Sequence, residues 1–294
     1  MTKKGLGARL RAMALRRGTR WGWGLGTVGF AALLFILVVS GFSRTVTAQQ
    51  QQDLHATDDG MPPPVATFSI LGYDPETGEV GGAVQSRVFT LTGVLTADAD
   101  AGVVATQAIV DVSYGPKGIA LLKQGLTPDA IIKAIWESDP DPIPDRWTKQ
   151  GRQFAVINLK GETATFTGPK ATTWAGGKQG KYCTAQGNIL AGPAVVEGMV
   201  KAFEETTGHL SLRLMAALEA GQAAGGDTRG MQAASMVIVK KGAGVWLNND
   251  TVLRFQVDDQ ENPYKELRRV VESWNASRAK GGARAVTPPV KPGQ

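Results

Sequence analysis

The stretch Thr67-Phe-Ser-Ile-Leu-Gly-Tyr-Asp-Pro-Glu-Thr-Gly-Glu-Val-Gly-Gly-Ala-Val-Gln-Ser-Arg87 decides how the rest of the chain is read. At its centre, Asp74-Pro-Glu-Thr-Gly78 carries turn chemistry: an aspartate that bonds its own backbone, a proline that presets φ, and a glycine that accepts positive φ. Both flanks alternate as strands do. In the first, Phe68 and Ile70 share one face and Thr67 and Ser69 the other. In the second, Val80 and Val84 share a face, with Gln85 and Arg87 opposite. The pattern predicts a β-hairpin. Matching apolar faces sets Phe68 against Val84 and Thr67 against Gln85, because a one-residue slip would turn the apolar set outward. Arg87 then lies diagonally beside Thr67 on the same face. A register displaced by one residue puts Ser86 there instead.

A threonine opening a strand, with a fixed cation beside it, is the arrangement of hydrolases whose nucleophile is the first residue of the mature chain. The hydroxyl attacks a carbonyl, and the residue's own α-amino group takes the proton. That group titrates at about 7.7–8.0, where a general base works well. A neighbouring guanidinium disfavours the ammonium form. The scheme requires Thr67 to become N-terminal. The plainer alternative is a β-branched residue that starts a strand.

The chain is long enough, and at 43% hydrophobic apolar enough, to bury a sizeable core. Its net charge of +6 is unevenly spread. Residues 1–44 hold eight Lys/Arg and no acid, and the tail from Ser277 holds four more, which leaves 20 Lys/Arg against 26 Asp/Glu between them. The body is mildly acidic and carries no nucleic-acid footprint. The leader reads as a targeting segment: a basic region through Arg20, an uncharged stretch over 21–42, and Val46-Thr-Ala48 as a small-residue cleavage site. An uncleaved anchor is the alternative, since about 20 apolar residues span a bilayer. Both place the body outside the cytoplasm, periplasmic or secreted, with a membrane association only through an uncut leader. A lone Cys183 excludes an internal disulfide and reads as a small buried strand residue. His55 lies in a polar linker and His209 opens a helix, so neither supports a catalytic pair. No metal-ligand spacing is present, and no cofactor is called for.

Taken in order, residues 1–48 form the leader and 49–66 a Gln/Pro-rich linker or propeptide. One domain follows over 67–276, and 277–294 form a disordered basic tail. Within the domain, strands are expected over 102–110, 153–159, 163–167, 182–192, 235–240, 244–248 and 253–257. Helices are expected over 116–124, 128–138, 193–206, 210–221 and 264–274. Strands alternating in blocks with helices give an α+β class, two packed sheets with helices outside. The loop Ala224-Gly-Gly-Asp-Thr-Arg-Gly-Met-Gln232 lacks the spacing of a nucleotide cradle.

The motif order Thr67-Phe-Ser-Ile, Asp74-Pro-Glu-Thr-Gly-Glu, Val103-Val-Ala-Thr-Gln, Tyr114-Gly-Pro, Gln186-Gly-Asn-Ile-Leu-Ala-Gly, Gly225-Gly-Asp-Thr-Arg-Gly and Val257-Asp-Asp resembles the prokaryotic family called domain of unknown function 1028. The resemblance implies a four-layer αββα sandwich of N-terminal-nucleophile hydrolase type. It matches Thr67 to the family's leading threonine. In leaderless relatives, removal of the initiator methionine would expose that residue. Arg87 stands where many relatives carry lysine; it keeps the charge but not the titratable ammonium. Gln107, Gln186 and Asn188 match amide positions able to donate to an oxyanion, or to satisfy strand-end backbone groups. Asp227, Arg229 and Gln232 match the glycine-rich loop, the Asp–Arg pair being either a substrate contact or a structural ion pair; Ser86, the residue that the displaced register sets beside Thr67, is a further candidate substrate contact. Two departures bear on the pocket: Ala233 in place of serine, and Thr96-Ala-Asp-Ala-Asp100 in place of a more apolar segment. The expected activity is a self-processing amidohydrolase with Thr67, Arg87 and Asn188 as its machinery, acting on a small-molecule or cell-wall amide. The rival is a non-catalytic binding or structural protein on the same fold. Related folds often assemble, so a homo-oligomer stands among the expected partners.

Overall fold

The computed structural model describes residues 67–280, apart from residue 173. The chain enters as an antiparallel hairpin, β1 (Thr67–Asp74) and β2 (Glu79–Ser86), followed by β3 (Leu95–Asp98) and β4 (Gly102–Ala108). Helices α1 (Tyr114–Lys123) and α2 (Pro128–Ser138) precede β5 (Arg152–Asn158) and β6 (Thr163–Thr167). Then come β7 (Gly176–Gly180), β8 (Cys183–Gly187), α3 (Ala194–Glu205), α4 (Leu210–Ala223), β9 (Ala233–Val239), β10 (Thr251–Val257) and α5 (Pro263–Ala279). One sheet has the order β10-β9-β2-β1-β8-β7 and the other β3-β4-β5-β6.

Three apolar clusters set the layering. Phe68, Ile70, Met199, Phe203 and Leu214 pack the first sheet against α3 and α4. Leu71, Val84, Val103 and Ile157 fill the space between the sheets. Val104, Phe154, Ile131 and Ile135 pack the second sheet under α1 and α2. Each large side chain fully withdrawn from water contributes roughly 1.5–3 kcal/mol. Local chemistry starts the helices where caps allow. Thr127 caps α2 with Pro128 at its first position, and the Asn262 side chain accepts from Lys265 N at 3.1 Å ahead of Pro263.

The hairpin turn forms as expected. The Asp74 carboxylate accepts from Glu76 N at 3.0 Å and Thr77 Oγ1 at 2.9 Å, and Gly78 takes φ 74°. The register is displaced by one from the apolar match. Thr67 pairs with Ser86, Phe68 with Gln85 and Ser69 with Val84. Face matching assumes one wet face, and here both are buried. Phe68 and Ile70 lie beneath the helices, whereas Leu71, Val80 and Val84 meet the second sheet. Gln85 is tolerated on the helix side because its Oε1 accepts from the Tyr264 hydroxyl at 3.3 Å and its Nε2 donates to the Gly230 carbonyl at 3.2 Å.

Other expectations need correction. Residues 244–248 belong to the β9–β10 connection, where Trp246 and Asn248 take φ of 78° and 57°. β8 stops at Gly187 because Ile189 turns to φ 52°. β3 and the glycine-rich β7 carry no clear strand pattern in sequence. Helix α5 continues to Ala279, into residues expected to be disordered. Pairs at helical spacing carry it there: Glu266–Arg269, Arg268–Glu272, and the Arg278 guanidinium 4.7 Å from the Trp274 ring centroid. The leader, the linker and residues 281–294 of the tail lie outside the described residues. Among the described residues, no helix is long and apolar enough to cross a membrane.

A candidate active site at the head of the first strand

Thr67 opens β1 between β2 and β8 and is fully buried. Its carbonyl is held by three donors: Asn188 N at 3.0 Å, Asn188 Nδ2 at 3.3 Å and Gln107 Nε2 at 3.2 Å. Its hydroxyl has no hydrogen-bond partner. Two residues along the same face, Ser69 Oγ donates to Gln107 Oε1 at 2.7 Å and accepts from Gln186 Nε2 at 2.6 Å. The contrast is chemical: one buried hydroxyl is doubly satisfied, and its neighbour, equally buried, is not.

The amides form a network that bridges the sheets. Gln107 is the last residue but one of β4 and Gln153 the second of β5 in the second sheet, and Gln186 lies near the end of β8 in the first, with Asn188 just past it. Gln107 Nε2 donates to Gln153 Oε1 at 2.8 Å, as does Asn188 Nδ2 at 3.1 Å. Gln153 Nε2 donates to Thr167 Oγ1 and to the Gly187 carbonyl, both at 2.8 Å. All four amide side chains are buried, so each must find partners inside the protein. The structure therefore brings together Thr67, Ser86, Gln107, Gln186 and Asn188. The hydrogen bonds of Gln107, Gln186 and Asn188 go to the Thr67 and Gln186 carbonyls, to Ser69 and Thr184, and to Gln153, which ties them to Thr167 and the Gly176 and Gly187 carbonyls.

Backbone strain marks the same place. Ala108 directly follows Gln107 at φ 67°, and Ile189 directly follows Asn188 at φ 52°. Left-handed conformations are uncommon for non-glycine residues, and for a β-branched side chain they are a real outlier. Ile189 is kept there by its amide, which donates to the Thr172 carbonyl at 3.1 Å, and by its carbonyl, which accepts from Thr228 N at 3.1 Å. Both strands that deliver an amide to the Thr67 carbonyl thus end in a forced turn immediately beyond it.

A second group adjoins Ser86. Arg87 lies one residue past β2, and its Nη1 donates to the Arg229 carbonyl at 2.5 Å. Arg229 in turn forks onto Asp227, with Nε 3.2 Å from Oδ1 and Nη2 3.0 Å from Oδ2. Gln232 N donates to the Ser86 carbonyl at 3.1 Å, and Gln232 Nε2 to Asp259 Oδ1 at 3.0 Å. Asp227 and Arg229 so act as a brace that folds the glycine-rich loop back across the strand end. Ala233 continues the row, pairing with Ser86 as Ser86 pairs with Thr67. The segment 96–100 lies elsewhere: Asp98 pairs with Gly102 at the opposite end of β4 from Gln107, and its carboxylate binds Lys123 at 2.5 Å. That departure does not touch the Thr67 surroundings.

Cys183 is buried in β8, and its thiol is pushed up to about 12, first by burial and then by the Glu204 carboxylate. Such a thiol is no nucleophile. His209 caps α4, accepting from Ser211 N at 3.1 Å, as its position ahead of a helix suggested. Ser69 and Gln153 escaped the sequence reading. Their signal was a polar residue within a nearly continuous apolar strand, a pattern that asks for a buried partner.

Two antiparallel sheets packed face to face, covered by helices and pinned by buried amides around the first residue of a central strand, define a class of mixed α/β protein. Within that class the chain belongs to the family of unknown function DUF1028, whose family model matches residues 67–267. It is also similar to the crystal structure of protein SPO2555 from Silicibacter pomeroyi, which carries the same family designation. The two are 28% identical over 71% of this chain and 85% of that chain, with a TM-score of 0.62. No curated protein matches the chain. The resemblance read from the motifs is borne out at the level of the family.

Proposed function

We propose that the chain is an exported amidohydrolase of N-terminal-nucleophile type, in which cleavage of the Ala66–Thr67 bond turns Thr67 into nucleophile and base. The observation that carries this reading is the Thr67 hydroxyl, fully buried and without a partner while its surroundings are saturated with hydrogen bonds. A buried polar group left unsatisfied costs about 1–3 kcal/mol, and such costs concentrate at functional sites. The layering of two sheets between helices supports an αββα sandwich of that type.

The chemistry would run as follows. Thr67 Oγ1 forms a bond to the carbonyl carbon of a substrate amide, and its proton passes to the Thr67 α-amine. The tetrahedral intermediate expels the amine, which takes that proton. Water then cleaves the threonyl ester and restores the hydroxyl. Asn188 is assigned as the oxyanion donor, because its Nδ2 makes two contacts, 3.3 Å to the Thr67 carbonyl and 3.1 Å to Gln153, against three for Gln107 Nε2. Gln186 is held by a short bond to Ser69 at 2.6 Å and serves better as scaffold. Arg87, whose guanidinium is aimed at the Arg229 carbonyl and which the observed register no longer sets diagonally beside Thr67, would have to turn toward the new amine for its permanent charge to favour the neutral form. Substrates would be small-molecule or cell-wall amides met outside the cytoplasm.

The test is the mass of the mature protein isolated from its native host. A chain beginning at Thr67 supports the proposal. An upstream bond intact in every molecule refutes it, and Thr67→Ala separates self-cleavage from cutting by a protease. A second reading, a non-catalytic binding or structural protein, draws on the commitment of the amides to the Thr67 carbonyl rather than to an open pocket.

A further inference from the structure

At the far end of β1, roughly 23 Å from Thr67 at about 3.3 Å per residue, a cavity of about 500 Å³ opens between three connections. The β1–β2 turn supplies Glu76, the β7–β8 turn supplies Lys181 and Tyr182, and the α3–α4 region supplies Glu204, Thr206 and Arg213. The walls are tied to one another. Tyr73 N donates to the Tyr182 carbonyl at 2.9 Å, and Lys181 N donates to Glu204 Oε1 at 2.7 Å. Glu79 Oε2 lies 2.9 Å from His209 Nε2, clasping the hairpin to the start of α4.

Arg213 is the informative residue. Its guanidinium is half-buried, stacked 4.1 Å from the Phe203 ring centroid, with Nε donating to the Phe203 carbonyl at 3.3 Å. Among the described residues, no further hydrogen bond or ion pair engages its Nη1 and Nη2. A partly desolvated guanidinium fork held flat on an aromatic face is suited to a planar carboxylate. Lys181 adds a second cation at the rim, 5.6 Å from the Tyr182 ring centroid. The lining also carries Asp74, Glu76 and Glu204. Asp74 is committed to its turn, whereas Glu76 and Glu204 are exposed. A doubly charged phosphate would meet three carboxylates in this lining. A molecule with one carboxylate and one ammonium meets complementary charge at both ends.

We propose that this cavity binds a zwitterionic amino acid or short peptide, its carboxylate forked by Arg213 and its ammonium set toward Glu76 and Glu204. The volume is that of a small-ligand site. The proposal does not depend on Thr67 chemistry.

Calorimetric titration of the isolated protein with L-alanyl-L-alanine tests it. Saturable binding is expected, weakened about tenfold or more by amidating the peptide's carboxylate or by Arg213→Met, and weakened also by N-acetylation. Thr67→Ala should bind as the native chain does. Arg213→Lys keeps the charge and the aliphatic stem but loses the fork, so it carries the test if Arg213→Met fails to fold; circular dichroism reports which variants are native. The proposal is overturned by absence of saturable binding, by inorganic phosphate binding as tightly as the dipeptide, or by a folded Arg213→Lys that binds as tightly as the native chain.

Discussion

Gln153 is the hub through which the second sheet holds the head of the first strand, and replacing it with methionine tests the whole amide network. The substitution keeps the length of the side chain and removes both polar atoms. Oε1 accepts from Gln107 at 2.8 Å and Asn188 at 3.1 Å, and Nε2 donates to Thr167 and the Gly187 carbonyl at 2.8 Å. The partners do not suffer equally. Gln107 Nε2 keeps the Thr67 and Gln186 carbonyls at 3.2 and 3.3 Å, and half-buried Thr167 can turn to water. Asn188 Nδ2 retains the Thr67 carbonyl at 3.3 Å, and the Gly187 carbonyl loses a short donor. Two compromised buried groups at about 1–3 kcal/mol each, less about 1 kcal/mol returned by burying an apolar chain, leave a net loss of about 3 kcal/mol. For a domain of this size that lowers the melting temperature by about 6–12 °C. Urea unfolding followed by far-UV circular dichroism should show the midpoint falling with the slope unchanged. Gln179→Met, on the exposed β7, should change stability by less than about 0.5 kcal/mol. A Gln107→Met, Gln153→Met double variant should lose less than the sum of its parts, because the two share a bond. A Gln153→Met loss below about 1 kcal/mol would show that the network is ornamental, and the assignment of its amides as a clamp would fail.

Ala108→Gly should leave stability within about 0.5 kcal/mol, since relief of about 1–2 kcal/mol at φ 67° offsets the lost buried methyl and the freer unfolded chain; a loss above about 1.5 kcal/mol on thermal unfolding would contradict the claim of strain. Gly72→Ala should cost about 1–3 kcal/mol, because the new Cβ would stand 2.5 Å from the Phe203 ring, which is fully buried; a neutral outcome in urea titration would refute the close approach. Asp139 gives the pH dependence. Burial alone would raise its pKa, but the Tyr114 hydroxyl, the Asp141 amide and the Arg152 guanidinium together hold it below the ordinary aspartate value. Its contribution is therefore complete above about pH 4 and is lost as pH falls through the depressed value. Asp139→Asn should flatten the acid limb of the stability curve, and an unchanged limb would count against the cluster.

The parts of the fold legible in sequence are those whose signal is local. The Asp74–Gly78 turn, the cap and proline that open α2, and the helical spacing of Val195, Met199 and Phe203 each declare themselves within a few residues. Errors arose where the deciding partner is distant. The register of β1 on β2 is set by α4 on one side and by the second sheet on the other, so apolar matching within the hairpin had no wet face to use. β7, Gly176-Gly-Lys-Gln-Gly180, is a strand only because β8 pairs with it. Of the candidate residues, Thr67, Ser86, Gln107, Gln186 and Asn188 meet at one strand end, which their separate motifs do not say. Nothing in Gln107 or Gln153 alone says that the two meet across a sheet interface.

The Thr67 clamp bears on the proposed processing in a specific way. Its three donors grip the carbonyl, on the downstream side of the residue from the proposed cut at the Ala66–Thr67 bond. Cutting that bond would convert an amide nitrogen into an amine without loosening the carbonyl, so Thr67 would keep its place in β1. The hydroxyl and the new amine share one residue whose backbone the clamp already fixes. Proton transfer between them then needs no search over conformations, which is how preorganised sites avoid the entropy of assembling catalytic groups. The same logic predicts a division of labour. Gln107 and Gln153 variants should shift stability and mature-chain formation together. Thr67→Ala should leave the fold intact, because it removes the one hydroxyl in the cluster that bonds to nothing. Thr67→Ala unfolding as easily as Gln153→Met would mean that Thr67 is a structural residue, and the proposed chemistry would lose its site.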